Sequence, residues 1–156
     1  MTVRVSTKFK ELLLGGSSFS EIFNGGRIDI FSGAPPASAD YPEQGVLLAS
    51  VTELGQAWTP NGGPGGLNFV LNGVWATNDP AQAWKLVASA AGVAGWFRLY
   101  GPALDTGEYS FSSPRIDGTV SAVGTADMHL PTATIALGYT LPFQQFLFSF
   151  PPILGA

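Results

Sequence analysis

The chain has 156 residues, 7 of them basic and 11 acidic, with a formal charge of −4, one histidine and no cysteine. A single domain is the expected size class, and the acidic balance leaves no electrostatic footprint for a phosphate backbone, so nucleic acid is not an expected partner. The missing cysteines exclude disulfides, thiolate nucleophiles and thiolate-bound metals.

Ser6 or Thr7 caps a short helix that ends at Leu14, where Gly15 and Gly16 stop it; Phe9, Leu12 and Leu13 then share one face. A second turn is expected at Ser20 to Phe23, broken by Asn24-Gly25-Gly26. From there the punctuation turns to short segments between glycines and prolines. RIDIF alternates, with Ile28 and Ile30 on one face and Arg27, Asp29 and Phe31 on the other, whereas VLLASV reads as a strand covered on both sides, so one edge of the sheet is expected to be partly solvated. TPNGGPGG, residues 59–66, is a long loop.

Further strands are expected in LNFVLNGVW, AWKLVASA, AGWFRLYG, PRIDGTVS and DMHL, and finally in TIALGYTLPFQQFLFSF. This spacing predicts an all-β chain, a β-sandwich of jelly-roll type with one short N-terminal helix. The expected organisation is a helical arm over residues 1–26 and a β-sandwich domain over 27–156. Trp84, Trp96 and Phe97, beside Gly92 and Gly95, form the expected packing centre of two strands, and Phe146, Phe148 and Phe150 the aromatic face of a last strand.

Candidate chemistry is sparse. Asp127 and His129 share a face if DMHL is a strand, but no nucleophile elbow accompanies them, and two groups are too few for a metal site. GGPGG lacks the Lys-Ser/Thr ending of a phosphate loop. Asp105, Glu108 and Asp117 are the carboxylates a glycosidase would draw on, weighed against an Arg115 to Asp117 pair on one strand face. No catalytic residue, metal or cofactor is expected. Trp58, Trp75, Trp84 and Trp96 are candidates for a sugar platform, although tryptophans more commonly anchor cores and interfaces.

Only 12% of residues are charged and mean hydropathy is +0.23. Such a surface implies self-association, with Val3, Val5, Phe9, Leu12 and Leu13 as the expected interface. The opening residues carry no secretory core, and the apolar segment from Phe143 to Ile153 is too interrupted to span a bilayer, so synthesis in a cytoplasm and no membrane contact are expected.

The blocks STKFKELLLGGSSFSEIF, NGGRIDIFSGAPPASAD, GVLLASVT, AGWFRLYG and PRIDGTVS, followed by an apolar C-terminal strand running into Pro-Pro, resemble small virion proteins of tailed bacteriophages. The resemblance implies a structural role in the virion, most simply a capsid decoration or cement protein. Such a protein works as a homotrimer that clamps neighbouring major capsid subunits after synthesis in the host cytoplasm. The alternative is a tail- or fibre-associated module that recognises a host glycan.

Overall fold

The computed structural model describes residues 3–149. The chain is mostly β, with antiparallel sheets and two short helices. It opens on β1 (Arg4–Val5) and α1 (Thr7–Leu14). Ser6 caps α1 by accepting the Phe9 N–H at 3.2 Å, and its hydroxyl oxygen also accepts the Arg115 N–H at 2.8 Å, so the helix start is tied to β8 (Arg115–Ser121). The helical segment expected over 1–26 is thus held in the body by β1, which pairs with β8, and by Phe9, which is fully buried.

Where one helix was expected there are two. In α2 (Phe19–Phe23), Ser18 and Glu21 form a capping box, with each side chain accepting the other's backbone N–H. Phe19, Ile22 and Phe23 enter the core beside Phe9.

Nine strands form the main sheet. Its path runs β1, β8, β7 (Gly92–Tyr100), β2 (Arg27–Ser32), β3 (Leu47–Glu53), β6 (Trp84–Ala88) and β11 (Thr140–Phe143). Off this path β10 (Thr134–Ile135) pairs with β7, and β9 (Met128–His129) pairs with β8 in parallel. A smaller sheet orders β12 (Leu147–Phe148), β5 (Trp75–Asn78) and β4 (Phe69–Asn72). The single C-terminal strand expected over TIALGYTLPFQQFLFSF is therefore three short ones, broken at Leu137-Gly138 and Gln144-Gln145, and Phe150 lies outside the described residues.

One continuous core lies on one side of the main sheet. Ile28, Ile30, Val51, Leu86, Phe97, Leu99 and Ile116 from that sheet meet Phe9, Phe19 and Phe23 from the helices and Phe69, Ala76, Phe146 and Phe148 from the smaller sheet and its approach. Phe69 is central, with ring centroids 5.1 Å from Trp84 and 5.2 Å from both Phe19 and Phe146.

The expected joint centre of Trp84, Trp96 and Phe97 is divided between two faces. Phe97 and Trp84 belong to the core, while Trp96, one residue along the strand, points to the far face and stacks on Phe31 at 4.5 Å. A register irregularity where Ser32 meets β7 lets Ala94 return to the core side. Gly95 sits there because a Cβ would lie 1.8 Å from the Gly33 carbonyl oxygen.

Candidate binding surface

The far face of the main sheet is covered. Asp29 and Phe31 are 4% and 1% exposed, because the connections 33–46 and 101–114 fold across them. The covering layer is built on cross-strand register. Arg4, Asp117, Arg98, Asp29 and Ser50 stand opposite one another across five strands, so positive and negative side chains alternate along one row. The neighbouring row is Arg115, Tyr100 and Arg27.

Three far-face arginines each take a carboxylate. Arg98 binds Asp117 through two hydrogen bonds of 2.7 and 2.8 Å, Arg115 binds Asp105 through two of 2.7 and 2.6 Å, and Arg27 reaches Asp29 at 3.0 Å. Ser50 donates its hydroxyl to Asp29 at 2.7 Å. The Nη1 atoms of Arg27 and Arg98 are buried without a hydrogen-bond partner among the described residues. Ring faces lie beside them instead: Arg27 lies 4.2 Å from the Tyr100 centroid and 4.4 Å from that of Trp58, and Arg98 lies 5.4 Å from that of Trp96.

Burial shifts the titrations here. Desolvation pushes the Asp117 carboxyl above its ordinary value, against the pull of Arg98, whereas the Asp105 carboxyl, which burial alone would raise, is held below it by Arg115 and the Gly107 N–H. Desolvation opposes the charge on Arg98, yet Asp117 keeps that guanidinium above its usual value. The Tyr100 phenol is raised by burial and by its hydrogen bond to Glu43.

Arg115 is the hub of this layer. Beyond Asp105 it donates to the Ala39 carbonyl at 3.2 Å and the Glu108 carbonyl at 2.7 Å, with the Tyr41 carbonyl at 3.5 Å, so one guanidinium that is 1% exposed grips both covering connections. Those connections are also joined to each other, since Ser110 N–H donates to Asp40 O and Glu43 N–H to Gly107 O, both at 2.9 Å. The Asp40 carboxylate in turn accepts the backbone and hydroxyl hydrogens of Thr7 at 2.9 and 2.7 Å, which ties the same connection to the start of α1.

On the outside of this pinned pair stand three aromatic side chains. Tyr41, Tyr109 and Phe111 are 45%, 53% and 56% exposed, with centroids 5.9 Å apart for Tyr41 and Tyr109 and 5.0 Å apart for Tyr109 and Phe111. The sequence reading missed them. Their one signal is an aromatic pair, YSF, inside a stretch of serine and proline that has no core-facing period.

The candidates named from the sequence fall elsewhere. Trp84 and Trp96 are buried, Trp58 is half-buried and gives its indole N–H to the Gly25 carbonyl at 2.8 Å, and only Trp75 is well exposed, so the four tryptophans form no common platform. Asp105 and Asp117 are engaged by Arg115 and Arg98, which replaces the expected Arg115 to Asp117 pair, and Glu108 is exposed. Asp127 accepts the backbone and hydroxyl hydrogens of Thr119 at 2.8 and 3.0 Å, while the exposed His129 lies 3.3 Å from the Ala126 carbonyl, so the two do not form an acid–base pair. Of the expected interface residues, Phe9 is fully buried in the core, and Val3, Val5, Leu12 and Leu13 are half-buried against that core.

The core side also holds a cavity of about 810 Å³, walled by Met128, Leu130, Leu141, Phe143, Phe146 and Phe148. Asp127, His129, Gln144, Gln145 and Ser149 also line it, with Asp127 engaged by Thr119. Among the described residues no cluster of potential metal ligands occurs, and no helix is long and apolar enough to cross a membrane. Compared with known proteins, the chain matches no family model, no curated protein and no solved structure.

Proposed function

We propose that this chain is a non-catalytic structural protein of a tailed-phage virion, a decoration protein that stabilises the head by binding between major capsid subunits as a homotrimer. One observation carries the reading: ionic side chains are drawn inside while large apolar ones stand outside. The Arg98, Arg115 and Asp117 side chains are at most 1% exposed, whereas Leu14, Val74, Val123 and Leu137, on four separate elements or turns, are 91%, 81%, 77% and 72% exposed. Exposed apolar side chains on several sides suit a subunit that is covered on those sides by a lattice.

The two sheets around one core support a sandwich of unequal layers, with the jelly-roll order as its expected parent. Carboxylates held by arginines are poor acids and bases, which supports a role without chemistry of its own. The half-buried Val3, Val5, Leu12 and Leu13 extend the core to the surface near the N-terminus and suit the contact between copies.

Quantitative gel analysis of purified particles tests the proposal. A decoration protein occupies a symmetric lattice and is present in roughly hundreds of copies, and its removal lowers the melting temperature of the capsid. A count of about a dozen or fewer refutes decoration, because so few sites exist only at a unique vertex or tail. Absence from the particle refutes the virion role.

A further inference from the structure

We propose that Tyr41, Tyr109 and Phe111 form a binding site for a neutral carbohydrate. The site is independent of the decoration role, since it sits on the covering connections and stands whether or not the chain decorates a head.

Three features point to this ligand class. The first is rigidity. An exposed aromatic ring on a mobile loop would lose entropy on binding, but Arg115 holds the carbonyls of Ala39 and Glu108, and the Ser110 to Asp40 and Glu43 to Gly107 hydrogen bonds clamp the backbone on either side of Tyr41 and Tyr109. The rings are thereby preorganised, and tyrosine offers a large flat contact with only two torsions to fix.

The second is the chemistry around the rings. The Ser110 hydroxyl lies 3.1 Å from those of Ser112 and Ser113, and these serines and the exposed Glu108 adjoin Tyr109 and Phe111 along the chain, so polar groups are interleaved with the rings in sequence. A sugar ring presents the matching pair of surfaces, a C–H face that packs on an aromatic ring and hydroxyls around its edge. Tyr41 and Tyr109 lie nearly parallel at 28° with centroids 5.9 Å apart, and Phe111 stands edge-on to Tyr109 at 73° and 5.0 Å, so the rings form a corner on the scale of one pyranose unit rather than a flat strip.

The third is charge. Residues 33–46 and 101–114 contain no lysine, arginine or histidine, and Arg115 beneath them is sequestered by Asp105. The surface therefore offers no cation to sulfated, phosphorylated or sialylated polymers, and a neutral glycan needs none.

Titration calorimetry on the full chain with maltohexaose, cellohexaose and tetra-N-acetylchitotetraose, and with heparin as an anionic comparator, tests the site. Saturable binding of at least one neutral oligosaccharide is expected at a Kd of about 1 mM, typical of a few stacked contacts on an open surface. Tyr109→Ala and Phe111→Ala should each weaken it by about 3- to 10-fold. Trp75→Ala, on the smaller sheet, should leave it unchanged.

Circular dichroism confirms that each variant is folded, and Tyr41→Ala replaces any that is not. The proposal is overturned if none of the three oligosaccharides binds at about ten times that Kd, if heparin binds more tightly than they do, or if removing a ring leaves sugar binding intact. It is equally overturned if the ring variants abolish a contact with the major capsid protein while no sugar binds, which would make the surface a protein interface. Copy number on particles and sugar titration are read separately, so either proposal fails without the other.

Discussion

Replacing Arg115 with methionine removes the group that holds the two covering connections. The methionine keeps most of the aliphatic stem, so the loss is electrostatic and hydrogen-bonded rather than steric. Asp105, with its side chain 7% exposed, is left with the Gly107 N–H as its donor, and the Ala39 and Glu108 carbonyls lose theirs. Removing one partner of a buried ion pair costs about 3 to 5 kcal/mol, most of it from the stranded charge. At this chain length about 4 kcal/mol lowers the melting temperature by roughly 8 to 16 °C. Urea and thermal unfolding followed by tryptophan fluorescence measure both quantities. The double variant Arg115→Met with Asp105→Leu should recover about half of the loss, because no unpaired charge then remains. A single-variant loss under about 1 kcal/mol, or a double variant no more stable than the single, would refute the hub.

Three further outcomes follow from the same geometry. Because the Asp105 carboxyl is held below its ordinary value, its stabilising contribution is complete above the unfolded value of about 3.9 and is lost as pH falls through the folded one. Asp117, raised by burial, acts in the opposite sense, since its contribution is complete below about 3.9 and declines above it; loosening on acid titration below about pH 4 is therefore traced to Asp105 and should vanish in Asp105→Asn. Gly95→Ala should cost about 3 kcal/mol or more in thermal melts, since its Cβ would lie 1.8 Å from the Gly33 carbonyl oxygen and both backbones are fixed. Trp96→Ala should cost about 3 to 5 kcal/mol, and Trp75→Ala, at 45% exposure, under about 1 kcal/mol; equal losses in urea titrations would contradict the placement of Trp96 on the covered face.

The local signals in the sequence translate directly into local structure. Ser6 caps α1 and Gly15 ends it, and RIDIF alternates as its side chains require. The second helix was readable only in part, although Ser18 and Glu21 carry the spacing of a capping box. What periodicity cannot supply is the cover over the far face, because residues 33–46 and 101–114 have no repeating pattern and act through backbone carbonyls. The pairing of Arg115 was misread for a related reason. Asp117 is two residues away on the same strand face, but Arg98 stands directly opposite it on β7, and a cross-strand partner is nearer than a same-strand one. The C-terminal phenylalanines were joined into one strand because apolar alternation persists across Gln144 and Gln145, where the chain in fact passes from one sheet to the other.

Placing scarce charges inside the molecule costs desolvation, so the arrangement is best understood through the alternatives that it excludes. If β8 slid by one residue against β7, Asp117 would turn into the apolar core beside Phe97 and Leu99. If it slid by two, one direction would set Arg98 opposite Arg115, and the other would leave Arg98 opposite Thr119 and Asp117 opposite Tyr100. Each error strands a buried ion, so the charged row specifies one register more sharply than an apolar row of the same shape would. That register in turn fixes where Arg115 emerges at the start of β8, and Arg115 fixes the carbonyls beneath Tyr41 and Tyr109. The exposed rings therefore inherit their geometry from ion pairs on strands they do not belong to. A surface held that firmly from below is suited to recognition without rearrangement.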